Sequence, residues 1–249
     1  MIEIHPLGMI GEVLPGTDLV AILSEALLAA GRPINGGDAL VVTQKIVSKA
    51  EGRYVTLDSV KPSEEALRLA KITGKDARLV ELVLTESTAV VRAAPNVLIT
   101  RHRCGYVMAN AGIDRSNTGS GGAVLLLPKN PDASAERLRQ GLGVRFGSPP
   151  AVVISDSFGR PWRYGVVNVA LGASGLPALV DKRGQPDRDG RPLEVTQIAL
   201  ADMIASAAGL AMGEGAEGIP AALIRGASWP AGSLPAAALL RPLSEDLFQ

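Results

Sequence analysis

The chain has 249 residues, with 25 Lys and Arg balanced by 25 Asp and Glu; 47% of it is hydrophobic and 20% charged. That balance excludes a disordered chain and supplies no general field for gripping nucleic acid or an anionic membrane, and aromatics at 3% are too few for a base-stacking platform. A single cysteine, Cys104, excludes a disulfide framework and a cysteine metal cluster, and points to a reducing, cytoplasmic setting.

In chain order, Met1 to Pro6 lacks the basic and long apolar regions of a signal peptide. Thr17 is placed to cap a helix reaching about residue 30, and the Gly36-Gly37-Asp38 turn leads into a buried strand over 39–43. Ser63 caps a helix that Gly74 stops, and Asp76 starts another carrying Leu79, Leu82 and Val83. Strands are predicted over 89–92, 97–102, 106–109 and 124–127, then a helix from about 134 to 142 and a strand over 151–155. A strand over 165–171, the longest helix over 193–212 and a last strand over 221–224 complete the reading. The apolar run from Ile198 to Met212 is broken by Asp202 and Ser206, and falls short of the ~20 residues of a membrane span. Strands occur both in meanders and between helices, which predicts an α+β or mixed α/β fold with mixed sheets. One domain is expected over 1–249.

Three polar, glycine-bearing loops follow apolar segments, the usual place for a site. They are Asn110 to Asn117, Ser155 to Arg163, and Met212 to Pro220. Asp156-Ser157 at a strand end suits Mg²⁺ or Mn²⁺, hard cations that take oxygen ligands and share them with phosphates; Asp114 and Glu214 complete a site if the three loops meet. Read locally, Asp114 and Asp156 are turn or cap residues. Gly213 to Gly218 spells G-x-G-x-x-G, but the helix precedes it, so a Rossmann reading fails; the loop is then an anion-cradling nest or a glycine helix stop. No P-loop motif occurs. Lys45 and Lys49 are positioned to meet phosphate or to form a solvated helix face. Arg160 and Arg163 flank a rigid Pro-Trp pair suited to holding an anionic substrate, and Arg163 equally suits an acid partner. Asp202 in its apolar helix reads as half of an ion pair, Cys104 as a packing residue, and neither His5 nor His102 is assigned a catalytic role.

Five segments in order resemble the coenzyme F420-0:γ-glutamyl ligase family. They are Ser48 to Arg53, Asn110 to Asp114 with Ser116-Asn117, Asp156-Ser157 with Arg160, Arg163 and Gly165, Leu193 to Thr196 with Ala201-Asp202, and Met212 to Gly215 through Pro220. Each is short; their shared order across nearly the whole chain is specific. The resemblance implies a family-specific ligase fold, an intertwined homodimer, GTP as co-substrate, and addition of L-glutamate to the deazaflavin precursor F420-0. It implies two Mg²⁺ or Mn²⁺ per site, one on Asp114 and Asp156 and one on Ser157 and Glu214, accompanied by a monovalent cation such as K⁺. Ser157 stands where threonine is common, which keeps the hydroxyl. By matching position GTP contacts Ile10, Gly11, Glu12, Val13, Gln44, Lys45, Lys49, Asn117 and the loop Met212, Gly213, Glu214, Gly215, Ala216, Glu217, Gly218 and Ile219. Asp156, Arg160 and Arg163 then serve the reacting groups. Some relatives add a flavin-binding reductase domain, and none is expected here. Two other classes use similar residues: a metal-dependent phosphotransferase or phosphohydrolase, and a non-catalytic nucleotide-binding regulator.

Overall fold

A computed structural model describes residues 1–115 and 122–246. The chain runs through β1 (Glu3–Leu7), α1 (Leu19–Ala29), β2 (Ala39–Thr43), α2 (Gln44–Ala50), β3 (Tyr54–Thr56), α3 (Glu64–Thr73) and α4 (Ala77–Thr85). It continues through β4 (Ser87–Ala94), β5 (Val97–His102), β6 (Val107–Ala109), β7 (Ala123–Leu125), α5 (Pro131–Phe146), β8 (Ala151–Arg160) and β9 (Arg163–Ser174). β10 (Leu179–Asp181), β11 (Gln197–Ala199), α6 (Leu200–Met212) and β12 (Ala221–Arg225) complete the order. The mixed α and β architecture expected from the sequence is present.

A central sheet has the order β1-β12-β2-β8-β9, in which only β2 and β8 run parallel. Period-two alternation sends Leu40, Val42, Val152 and Ile154 to the face covered by α1, α2 and α5, and Val41 and Val153 to the face covered by α6. Both faces are therefore dry, which is why these strands read as continuous apolar runs. A second layer packs α3 and α4 against β4-β5-β6 and the β3-β7 pair around Leu69, Val80, Val83 and Leu98. Glu86 ties this layer down. Burial pushes its carboxyl up, but the His102 ring, 3.6 Å away, and the charges of Arg53 and Arg103 outweigh that and hold it below the ordinary range.

Four expectations need correction. The α1 cap is Asp18, whose Oδ1 accepts the Ala21 N–H at 3.1 Å, while Thr17 accepts the Leu14 N–H. Residues 193–199 are not helical: Gln197–Ala199 pairs with β10, leaving α6 to begin at Leu200 and α5 as the longest described helix. Residues 156–160 form no loop but extend β8 beyond the sheet, as a two-stranded ribbon with β9. Among the described residues, alternate positions of that stretch, Ser157 and Gly159, are exposed, so its sequence is free to be polar. Asp202 accepts the Ala170 N–H at 2.8 Å in place of an arginine, and burial raises its carboxyl above the usual range.

Candidate active site

Strand direction decides what meets at one edge of the sheet. Because β2 and β8 are parallel and in register through Thr43 and Ser155, both end together and deliver Gln44-Lys45 and Asp156-Ser157 side by side. β12 is antiparallel to β2, so its preceding loop, Gly213 to Pro220, arrives at the same edge, fixed by the Thr43 N–H bonding the Pro220 carbonyl at 2.9 Å. β1 is antiparallel to β12 and its end, Leu7, pairs with Ala221, which brings Gly8 to Val13 there as well. From the second layer Asp114 is carried in on a two-way backbone bridge to Leu125. The crevice beyond the carboxyl ends of parallel strands is the usual ligand position in such sheets.

The result is a cavity of about 660 Å³ lined by Ile10 to Val13, Lys45, Lys49, Asp114, Ser155 to Ser157, Asn168 and the whole Met212 to Pro220 loop. A second cavity of about 560 Å³ adjoins it, lined by Gln44, Ile99, Val107 to Ala109, Gly112 to Asp114 and Asp156 to Pro161. Asp114, Asp156 and Ser157 line both cavities.

At that shared wall the charges are crowded. Burial raises the Asp156 carboxyl to about 7; the Ser157 backbone N–H and the Gln44 amide pull against this, the Asp114 charge adds to it, and Lys45 pulls back. Lys45 Nζ sits 2.7 Å from Asp114 Oδ2. Two carboxylates that repel, one of them reluctant to ionise, form a donor pair that a divalent cation would neutralise. Beside them Ser157 Oγ donates to Glu214 Oε2 at 2.5 Å, and Asn168 Nδ2 donates to Glu214 Oε1 at 2.6 Å and to Ser157 Oγ at 3.2 Å. Among the described residues no three acid, histidine or cysteine side chains form a metal cage. Pairs of oxygen ligands fit a hard cation that completes its shell with water and phosphate, as Mg²⁺ does.

The glycine loop already holds an anion: Glu217 Oε2 accepts the Gly215 N–H at 2.7 Å, folded against Gly213, whose φ of +75° puts it in the left-handed region. Facing the loop, Lys49 is nearly buried, with its Nζ 2.5 Å from Glu12 Oε1. It is no solvated face. In the second cavity Arg160 has a buried Nη1 with no hydrogen-bond partner among the described residues, a free donor in a cavity partly walled by Ile99, Val107 and Ile113. Arg163 is exposed at the ribbon end, opposite Arg160, and lines neither cavity. Ser116 and Asn117 lie outside the described residues. Asn168 was not among the residues singled out, although a polar side chain amid Val166, Val167 and Val169 was a signal that something there needed a partner.

One cavity with paired lysines and carboxylates is joined at a charged wall to a second, more apolar cavity that half-buried Arg160 lines, a layout that suits an enzyme. The sequence comparisons make that class specific. The profile of the F420-0:Gamma-glutamyl ligase family matches residues 8–226, and the chain belongs to this family. Among its relatives, the coenzyme F420:L-glutamate ligase of Methanocaldococcus jannaschii is 45% identical over 89% of this chain and 88% of its own length. That of Methanopyrus kandleri is 43% identical over 100% and 98%, and that of Halobacterium salinarum 45% over 86% and 83%. The protein is thus a ligase. Among the described residues no helix is long and apolar enough to cross a membrane.

Proposed function

We propose that the chain adds L-glutamate to F420-0 in coenzyme F420 biosynthesis, consuming GTP and passing through an acyl phosphate. The observation that carries this is the shared wall: Asp114, Asp156 and Ser157 belong to both cavities, so a phosphate donor in one and a carboxylate acceptor in the other would meet there.

Amide formation in water is uphill, so the acceptor carboxylate needs activation. Its oxygen attacks the γ-phosphorus, the β–γ bridging bond breaks and GDP leaves. The glutamate amine then attacks the acyl carbon, inorganic phosphate departs with one carboxylate oxygen, and the amine proton passes to water. Lys45, Lys49 and the N–H groups of the glycine loop hold the nucleotide phosphates, and the unpartnered Nη1 of Arg160 holds an anionic part of the acceptor. Gln44 keeps the Asp156 carboxylate oriented. Divalent cations on Asp114 with Asp156 and on Ser157 with Glu214 would neutralise phosphate charge and align donor with acceptor. Arg163 and the exposed Trp162 and Tyr164 of the ribbon end face outward, which supports a role in the homodimer for this arm.

The test is an isotope transfer. With the acceptor carboxylate labelled in heavy oxygen, the released inorganic phosphate is expected to carry one labelled oxygen per amide formed. Unlabelled phosphate alongside amide product would rule out the acyl phosphate.

A further inference from the structure

Asn168 sits in β9 directly opposite Ser157 of β8, and only 7% of its surface is exposed. Its amide closes a triangle of side chains from three elements: Nδ2 reaches Glu214 Oε1 at 2.6 Å and Ser157 Oγ at 3.2 Å, and Ser157 Oγ reaches Glu214 Oε2 at 2.5 Å. The strand is held against α6 at the same point, where Ser206 Oγ donates to the Asn168 carbonyl at 2.7 Å.

Over the Asn168 amide α6 carries Gly209. A Cβ at that position would lie 2.1 Å from Asn168 Oδ1 and 2.8 Å from its Cγ, but 3.5 Å from its Cβ. The first two distances are impossible and the third is ordinary contact. Gly209 lies inside a helix, where glycine is destabilising relative to alanine and the backbone has no need of it. The missing methyl is explained by the space that the Asn168 amide fills.

We propose that Asn168 is a positioning residue that sets the Ser157 hydroxyl and the Glu214 carboxylate for a divalent cation, and that Gly209 is the clearance keeping its amide in place. A neutral amide suits this task. It donates to both oxygens, adds no charge to a site that already has three carboxylates, and leaves the remaining lone pairs for the cation. This rests on the metal assignment made above.

The experiment is a double-mutant cycle with Gly209→Ala, Asn168→Ala and both together. It reads Mn²⁺ binding by electron paramagnetic resonance with GDP present, and thermal melting of the metal-free proteins. Each single variant is expected to bind Mn²⁺ about 10- to 100-fold more weakly than wild type, the range for lost support behind a metal ligand. Gly209→Ala lowers the melting temperature in the wild-type background. In the Asn168→Ala background it raises it and costs no further Mn²⁺ affinity, because the clash is gone and the helix gains an alanine. Wild-type Mn²⁺ affinity in Asn168→Ala, or an equal effect of Gly209→Ala in both backgrounds, overturns the proposal while leaving the metal site standing. Wild-type protein that takes up no Mn²⁺ overturns the metal assignment and this proposal with it.

Discussion

Asp156 carries an electrostatic conflict that makes it informative. Its carboxyl, raised to about 7 by burial and by Asp114, is disfavoured as an anion in the metal-free fold. Because the folded value exceeds the unfolded one, the metal-free protein loses stability as pH climbs from about 4 to about 7, and the loss is complete above that. Asp156→Asn removes the penalty while preserving shape. Without metal it is expected to melt above wild type near pH 8, by roughly 2–4 °C for each kcal/mol recovered, with the difference closing toward about pH 4. Its ligation rate is expected to fall on the order of a hundredfold or more, because a metal ligand has lost its charge. Calorimetric melting at both pH values with a steady-state rate checks this; equal melting at both and an undiminished rate would make Asp156 a turn residue. The three acids stand out in the sequence because each lies in a polar, glycine-bearing segment that follows an apolar one, although the same positions also suit turn or cap residues. Asn168 does not, because an amide inside a strand announces only that it needs a partner, and its partners lie 11 and 46 residues away.

Elements place these residues, and α2 does so most directly. It starts at Gln44 with no loop after β2, so Lys45 and Lys49, four apart, share one helix face turned to the larger cavity. Lys49→Ala is expected to weaken GTP binding by roughly 1–3 kcal/mol, the range for a charge-assisted contact. Isothermal calorimetry reads both nucleotide affinity and enthalpy; unchanged affinity would confine Lys49 to its pair with Glu12. Sequence periodicity located β2, β5, β12, α3 and α4 well, since each has a buried stripe or an identifiable cap. It failed where pairing rather than burial sets the conformation. The outer half of β8 is extended because β9 lies beside it, and residues 197–199 are extended because β10 does. The register shift after Ile154 leaves Leu171 without a ladder partner, and the Tyr106 hydroxyl donates to its carbonyl, a contact no local pattern encodes.

For the whole molecule, the site follows from the directions of five strands. One parallel pair flanked by antiparallel neighbours turns four separated chain segments toward a single edge, and the second layer supplies Asp114. The fold class was readable from the mixture of meanders and strand-helix alternation. The strand order was not, because β1 meets β12 across more than two hundred residues, and only the closed structure reveals that Glu12 faces Lys49. Ligation itself is tested by mass spectrometry of a reaction containing F420-0, GTP, Mn²⁺ and L-glutamate. The expected product is heavier than F420-0 by one or more glutamyl residues, formed only when all four components are present, with one GDP for each glutamate added. Release of GDP with no gain in mass would make the protein a phosphohydrolase, and bound nucleotide with no turnover would make it a regulator; either result would rule out glutamate ligation to F420-0.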